Sequence, residues 1–145
     1  MFQKLIQTTS DPAALVLRLT LAIVMFPHGA QKALGWFGGY GFSGTMEAMT
    51  GMGLPAVVVV LVILGEFLGP IGLAVGFLSR AAAAGIGIIM TGAIFFGHLQ
   101  HGFFMNWYGQ QAGEGFEYHL LMIGIALAII IKGGGPFSVD HKLSH

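Results

Sequence analysis

The sequence has no cysteine and very few charges. Without a thiol in its 145 residues it can form no disulfide framework, no thiolate nucleophile and no thiolate metal site. Charged side chains make up 8% of the chain, against about 25% in ordinary soluble domains. A water-exposed surface would be hard to cover with so few. The formal net charge is zero, so no electrostatic footprint for nucleic acid exists. What the chain has instead is apolar length. Hydrophobic residues reach 55%, and 24 glycines and 8 methionines suit helices packed closely in lipid.

A membrane helix needs about 20 mainly apolar residues to cross a hydrocarbon core of about 30 Å. Four stretches are candidates, at about residues 12–34, 55–78, 81–97 and 116–132. Asp11 is a natural N-cap for the first, with Pro12 at its first position. Gly133-Gly134-Gly135-Pro136 stops the fourth. The expected fold is therefore all-α: one integral membrane domain over residues 1–145, a four-helix bundle with short amphipathic segments in its outward connections. Ser43 to Met52 is the expected segment of that kind. Lys4 precedes an apolar stretch, but Arg18 interrupts it and no clean cleavage site follows, so the N-terminus reads as retained rather than as a signal peptide.

With four spans, both termini share a side with the second connection. That side carries Lys4, Arg80, Lys132 and Lys142, while the other carries only Lys32. The positive-inside rule places both termini in the cytoplasm. The terminal end looks plain, and His141 and His145 are expected to be solvated there. The aromatic run Trp36, Phe37, Tyr40 and Phe42 in the first connection suits a membrane interface.

The polar residues inside the spans invite a functional reading. A charge at the bilayer centre costs roughly 2.5–3.5 kcal/mol on insertion scales, so Glu66 should be protonated, paired or facing a wet cavity. Arg18 is its expected partner. Arg18, Met25 and Lys32 recur every seven residues, and His28 lies one turn before Lys32, which gives the first helix a polar arc. Pro27 and Pro70 interrupt the hydrogen bonds of their helices; the carbonyl that Pro70 leaves free belongs to Glu66. Gly65-x-x-x-Gly69 and Gly72-x-x-x-Gly76 form a small-residue face suited to close packing.

At the outer end His98, His101, Glu114, Glu117, His119 and His28 are expected to converge. Imidazoles suit zinc, copper, iron or haem, bundle cores house such groups, and histidine exchanges protons near neutral pH. His98, His101 and His119 are the candidate metal ligands. A hydrogen-bonded network that ties the outer loops to the bundle explains the same residues without any ligand.

Several of these motifs occur together in one known family. Arg18-Leu19, His28-Gly29-Ala30-Gln31-Lys32, Gly65-Glu66-Phe67-Leu68-Gly69, the run His101 to Trp107, the run Gly113 to His119, and the close at Lys132-Gly133 and Ser138-Val139-Asp140 resemble the DoxX family in order along nearly the whole chain. The resemblance implies a four-helix inner-membrane protein, similar to the DoxD subunit of thiosulfate:quinone oxidoreductase and linked to quinones or oxidative stress. Fold follows from such a likeness far better than function.

The leading expectation is a redox-associated membrane protein with an intramembrane pocket for a quinone-like or other small ligand. Glu66 and His28 are the candidate catalytic groups. Arg18, His28, Lys32, Glu66, His101, Glu114, Glu117 and His119 are the candidate ligand contacts. Electrons would come from a partner protein, a bound cofactor or the ligand. The alternatives are a non-enzymatic scaffold or assembly subunit, and a metal or haem carrier; a small transporter fits less well. Lipid is a certain neighbour, and a homo-oligomer is open.

Overall fold

The computed structural model describes residues 2–144. Among the described residues seven α-helices follow one another: α1 (Phe2–Ile6), α2 (Pro12–Leu34), α3 (Gly41–Gly51), α4 (Ala56–Val75), α5 (Ser79–Ala93), α6 (Glu117–Lys132) and α7 (Val139–Ser144). The described residues contain no strand, so the all-helical membrane architecture stands.

Among the described residues three helical stretches are long and apolar enough to cross a bilayer: Pro12–Leu34, Ala56–Val75 and Ser79–His101. The last includes a π-helical turn at Ile94–His98 and a 3-10 turn at Leu99–His101 after α5. The fourth candidate is present as α6, but its 16 residues give only about 24 Å at 1.5 Å per residue. It packs antiparallel to α5, since Arg80 at the start of α5 donates to the carbonyl of Ile130 near the end of α6.

The long helices bury narrow seams at alternating steps of three and four. On α4 these are Val59, Ile63, Glu66, Pro70 and Leu73. On α6 they are His119, Met122, Ala126 and Ile129. This spacing keeps one stripe of each helix turned to its neighbours and leaves the rest to lipid. Leu21, Met25, Leu73, Ala83, Ile86, Met90, Met122, Ala126 and Ile129 form the central apolar cluster. The small-residue face of α4 lies against α5 of the same chain: a Cβ at Gly65 would meet Ile89, and one at Gly69 would meet Ile86.

Local chemistry sets the helix ends. The Asp11 side chain accepts from the Ala13 amide at 2.8 Å and caps α2. Gly35, in the left-handed region at φ 75°, ends it. The expected connecting helix forms as α3, and its buried Thr45 donates to the Lys32 carbonyl at 3.3 Å.

The terminal end is not plain. Arg18 is 1% exposed and donates to four carbonyls: Nε to Gly134 at 2.9 Å, Nη1 to Leu73 at 2.7 Å and Ala74 at 2.8 Å, and Nη2 to Phe137 at 3.2 Å. Leu73 and Ala74 belong to the last turn of α4, where the dipole is negative; the Leu73 carbonyl also accepts from the Gly76 amide at 3.1 Å. Asp140 mirrors this with opposite charge. Its carboxylate accepts from the Leu78 and Ser79 amides, both at 2.8 Å, at the N-terminus of α5. The C-terminal segment is thus a strap across the α4–α5 turn. His141 is half-buried within it, contrary to the solvated tail expected; His145 lies outside the described residues.

Candidate polar site at the loop end

Glu66 does not pair with Arg18. Its Oε2 lies 2.6 Å from Lys32 Nζ. The reason is depth. A Cβ on Gly29 would stand 2.0 Å from the Glu66 carbonyl oxygen, so α2 and α4 touch backbone to backbone at that level. Arg18 is eleven residues before Gly29, or about 16 Å along the helix, out of reach even for an arginine. Lys32 is one turn beyond Gly29. The carbonyl freed by Pro70 faces that glycine, and only a residue without a side chain permits the approach. Glu66 is 4% exposed, while the Lys32 side chain keeps 27% exposure.

A second polar pair sits on the other half of the bundle. The rings of His98 and His119 are 4.1 Å apart, centre to centre. The π-helical turn at Ile94–His98 carries His98 round to face α6, a use of local unwinding often seen at functional sites. His98 Nδ1 is 2.9 Å from the Glu114 carbonyl. His119 is 6% exposed, and its Nδ1 is buried without a hydrogen-bond partner.

Two residues stand between the pairs. His28 is exposed on α2, and its ring centre is 6.2 Å from that of Tyr118 on α6. Tyr118 is half-buried and also touches His119 at 5.3 Å between ring centres. Residues 28, 32, 66, 98, 118 and 119 therefore line one polar zone across α2, α4, the end of the third span and α6.

The remaining candidates have other partners. Glu117 Oε1 accepts from the Met105 amide at 2.9 Å and the Trp107 indole at 3.0 Å. Glu114 Oε2 accepts from the Asn106 amide at 2.7 Å. Both carboxylates hold the 102–116 loop against the top of α6. The His101 ring packs on Gly113, and its Nε2 is 3.3 Å from Gln100 Nε2. Among the described residues no three His, Asp or Glu side chains gather in a way that could hold a metal ion, so the set His98, His101 and His119 does not assemble. Arg18 lies at the opposite end of the bundle.

Tyr118 is the residue that sequence reasoning missed. Its place one residue before His119, in the polar run that opens the last span, was the available signal.

Comparison with known proteins agrees with this architecture. The DoxX family profile matches residues 13–99, which hold α2 through most of the third span. The chain is 31% identical over 137 residues to the inner membrane protein YqjF of Escherichia coli (strain K12), covering 92% of this chain and 94% of that protein. No solved structure matches. The chain belongs to the DoxX family.

Proposed function

We propose that this protein is a redox-associated protein of the inner membrane, one that binds a quinone-like headgroup in the polar zone between Lys32–Glu66 and His98–His119. The observation that carries this reading is a buried Glu66 paired with a partly exposed Lys32, and a buried histidine with an unfilled nitrogen, set beside a histidine exposed on a membrane-spanning helix. Ionisable groups within spans are functional-site candidates by default. The exposed His28 gives the zone a lateral mouth toward lipid, where water is scarce and a lipid-soluble ligand is at hand. A relative named as an inner membrane protein supports the compartment. The charge asymmetry supports four crossings with both termini in the cytoplasm.

In this reading Lys32 and His28 donate to a ligand oxygen, and Glu66 holds Lys32 charged and in place. His119 and His98 exchange protons when a quinone takes up two electrons and two protons to become a quinol. With no cysteine in the chain, the electrons come from a partner protein, a bound cofactor or the ligand itself. The test is direct. Protein purified in mild detergent should carry an isoprenoid quinone detectable by mass spectrometry, and Glu66→Gln should stay folded but lose it. Absence of quinone from the wild type, with no binding of an added short-chain benzoquinone, overturns the proposal.

A scaffold role is the second reading. It is favoured by Glu114 and Glu117, whose carboxylates are occupied by loop amides. It expects Glu66→Gln to change stability and no ligand content.

A further inference from the structure

Tyr118 has a hydroxyl in search of a partner. Among the described residues its only hydrogen-bond contact is the Met25 sulfur, at 3.9 Å. A thioether is a weak acceptor, and a buried or lipid-facing phenol normally finds a better one. The adjacent residue, His119, has a buried Nδ1 with no partner at all. Two consecutive side chains thus leave hydrogen-bonding capacity unused in one small region. Buried polar atoms are rarely left so, and an unfilled one asks for an explanation such as a missing ligand.

The position narrows what that ligand is. Tyr118 stands between the two polar pairs. Its ring neighbours are His28 at 6.2 Å and His119 at 5.3 Å. Aromatic rings therefore flank the place where a ligand oxygen would sit. A flat ring bearing a carbonyl or hydroxyl oxygen matches this: the ring stacks among His28, Tyr118 and His119, and the oxygen accepts from the phenol.

We propose that Tyr118 is the positioning residue that donates its hydroxyl hydrogen to a carbonyl oxygen of a ring-shaped, lipid-soluble ligand and so fixes which way that ring faces. This inference rests on the quinone-like reading above but adds a residue and an orientation to it. It separates two jobs: Lys32 and Glu66 supply charge, and Tyr118 supplies direction.

The experiment compares two probes on two proteins in lipid nanodiscs. The probes are a decyl-substituted benzoquinone and the matching decyl dimethoxybenzene, whose ether oxygens are poorer acceptors than quinone carbonyls. Wild-type protein should bind the quinone at least tenfold more tightly than the ether. Tyr118→Phe should reduce that preference to about threefold or less while leaving ether affinity unchanged. A purely structural tyrosine would weaken both probes alike, so equal losses overturn the assignment. Preference retained in Tyr118→Phe also overturns it while leaving the quinone reading intact. Failure of the wild type to bind either probe removes both proposals. A matching melting temperature for Tyr118→Phe and wild type, without ligand, establishes that the variant is folded; if it is not, Tyr118→His, which keeps a donor on a ring, should restore part of the preference, and a folded Tyr118→His without any preference counts against the role.

Discussion

The two ends of this bundle treat buried charge in opposite ways. At the terminal end, Arg18 and Asp140 are both almost fully buried, and each is met by several backbone groups at a helix end. Arg18 sits on the negative end of α4 and Asp140 on the positive end of α5, so dipole and hydrogen bonding act together. At the loop end, Glu66 has one partner, Lys32 is partly exposed, His28 is exposed, and His119 has a nitrogen with none. Saturated charges fix a structure. Unsaturated ones leave chemistry available, at some cost in stability. The contrast separates the part of this molecule that holds it together from the part suited to bind something.

That contrast can be broken by mutation. The largest effect is expected from Arg18→Met, which takes the guanidinium donors from four carbonyls in a water-poor site, of which Leu73 keeps the Gly76 amide. Each unsatisfied group costs roughly 1–3 kcal/mol, so the folded fraction in a detergent unfolding titration should collapse. If Arg18→Met unfolds no more readily than Glu66→Gln, the distinction between the ends is wrong. Gly29→Ala comes next. A methyl 2.0 Å from the Glu66 carbonyl oxygen must push α2 and α4 apart, an overpacking penalty of about 1–3 kcal/mol, and it should also lower ligand content by displacing Lys32 from Glu66.

Asp140→Ala removes a carboxylate cap from α5. The loss should be about 1–2 kcal/mol, read as a lower melting temperature with ligand content intact. Glu66→Gln should be milder for stability, because the long Lys32 side chain can turn its ammonium toward the interface, while ligand content falls most.

The smallest effect concerns pH. Lys132 pairs with Asp11 at the terminal end and, together with the bond from Ala13, holds the Asp11 carboxyl below its usual 3.8. A depressed carboxyl contributes stability above its unfolded pKa and loses it as pH falls through the folded value. The pair is partly exposed, so Asp11→Asn should lower neutral-pH stability only slightly and flatten the acid limb of the melting curve by the same small amount. A clear loss at pH 7 would contradict this placement.

Much of the fold is legible in the amino-acid sequence. The Asp11-Pro12 start of the first span and the Gly133-Gly134-Gly135-Pro136 stop of the fourth rest on local backbone chemistry, and the expected bounds of both spans are within a few residues of the observed ones. The connecting helix near Ser43 to Met52 follows from the same cues. The site is legible only in part. Glu66, Lys32, His28, His98 and His119 do share one zone. The pairing of Glu66 with Arg18 fails, because it depends on the depth of one helix against another. The role of the C-terminal strap is hidden as well, since Arg18 and Gly134 are 116 residues apart.

By itself, then, the sequence determined that this chain is helical, lipid-embedded and short of charge, where its helices start, and that whatever charges remain inside it must be answered. Those outcomes follow from hydropathy, periodicity and capping, all of which act over a few residues. Which charge answers which was decided by tertiary structure alone. The contact of Gly29 with the Glu66 carbonyl sets the depth of α2 against α4, and that depth hands Glu66 to Lys32 and Arg18 to the Leu73 and Ala74 carbonyls at the end of α4.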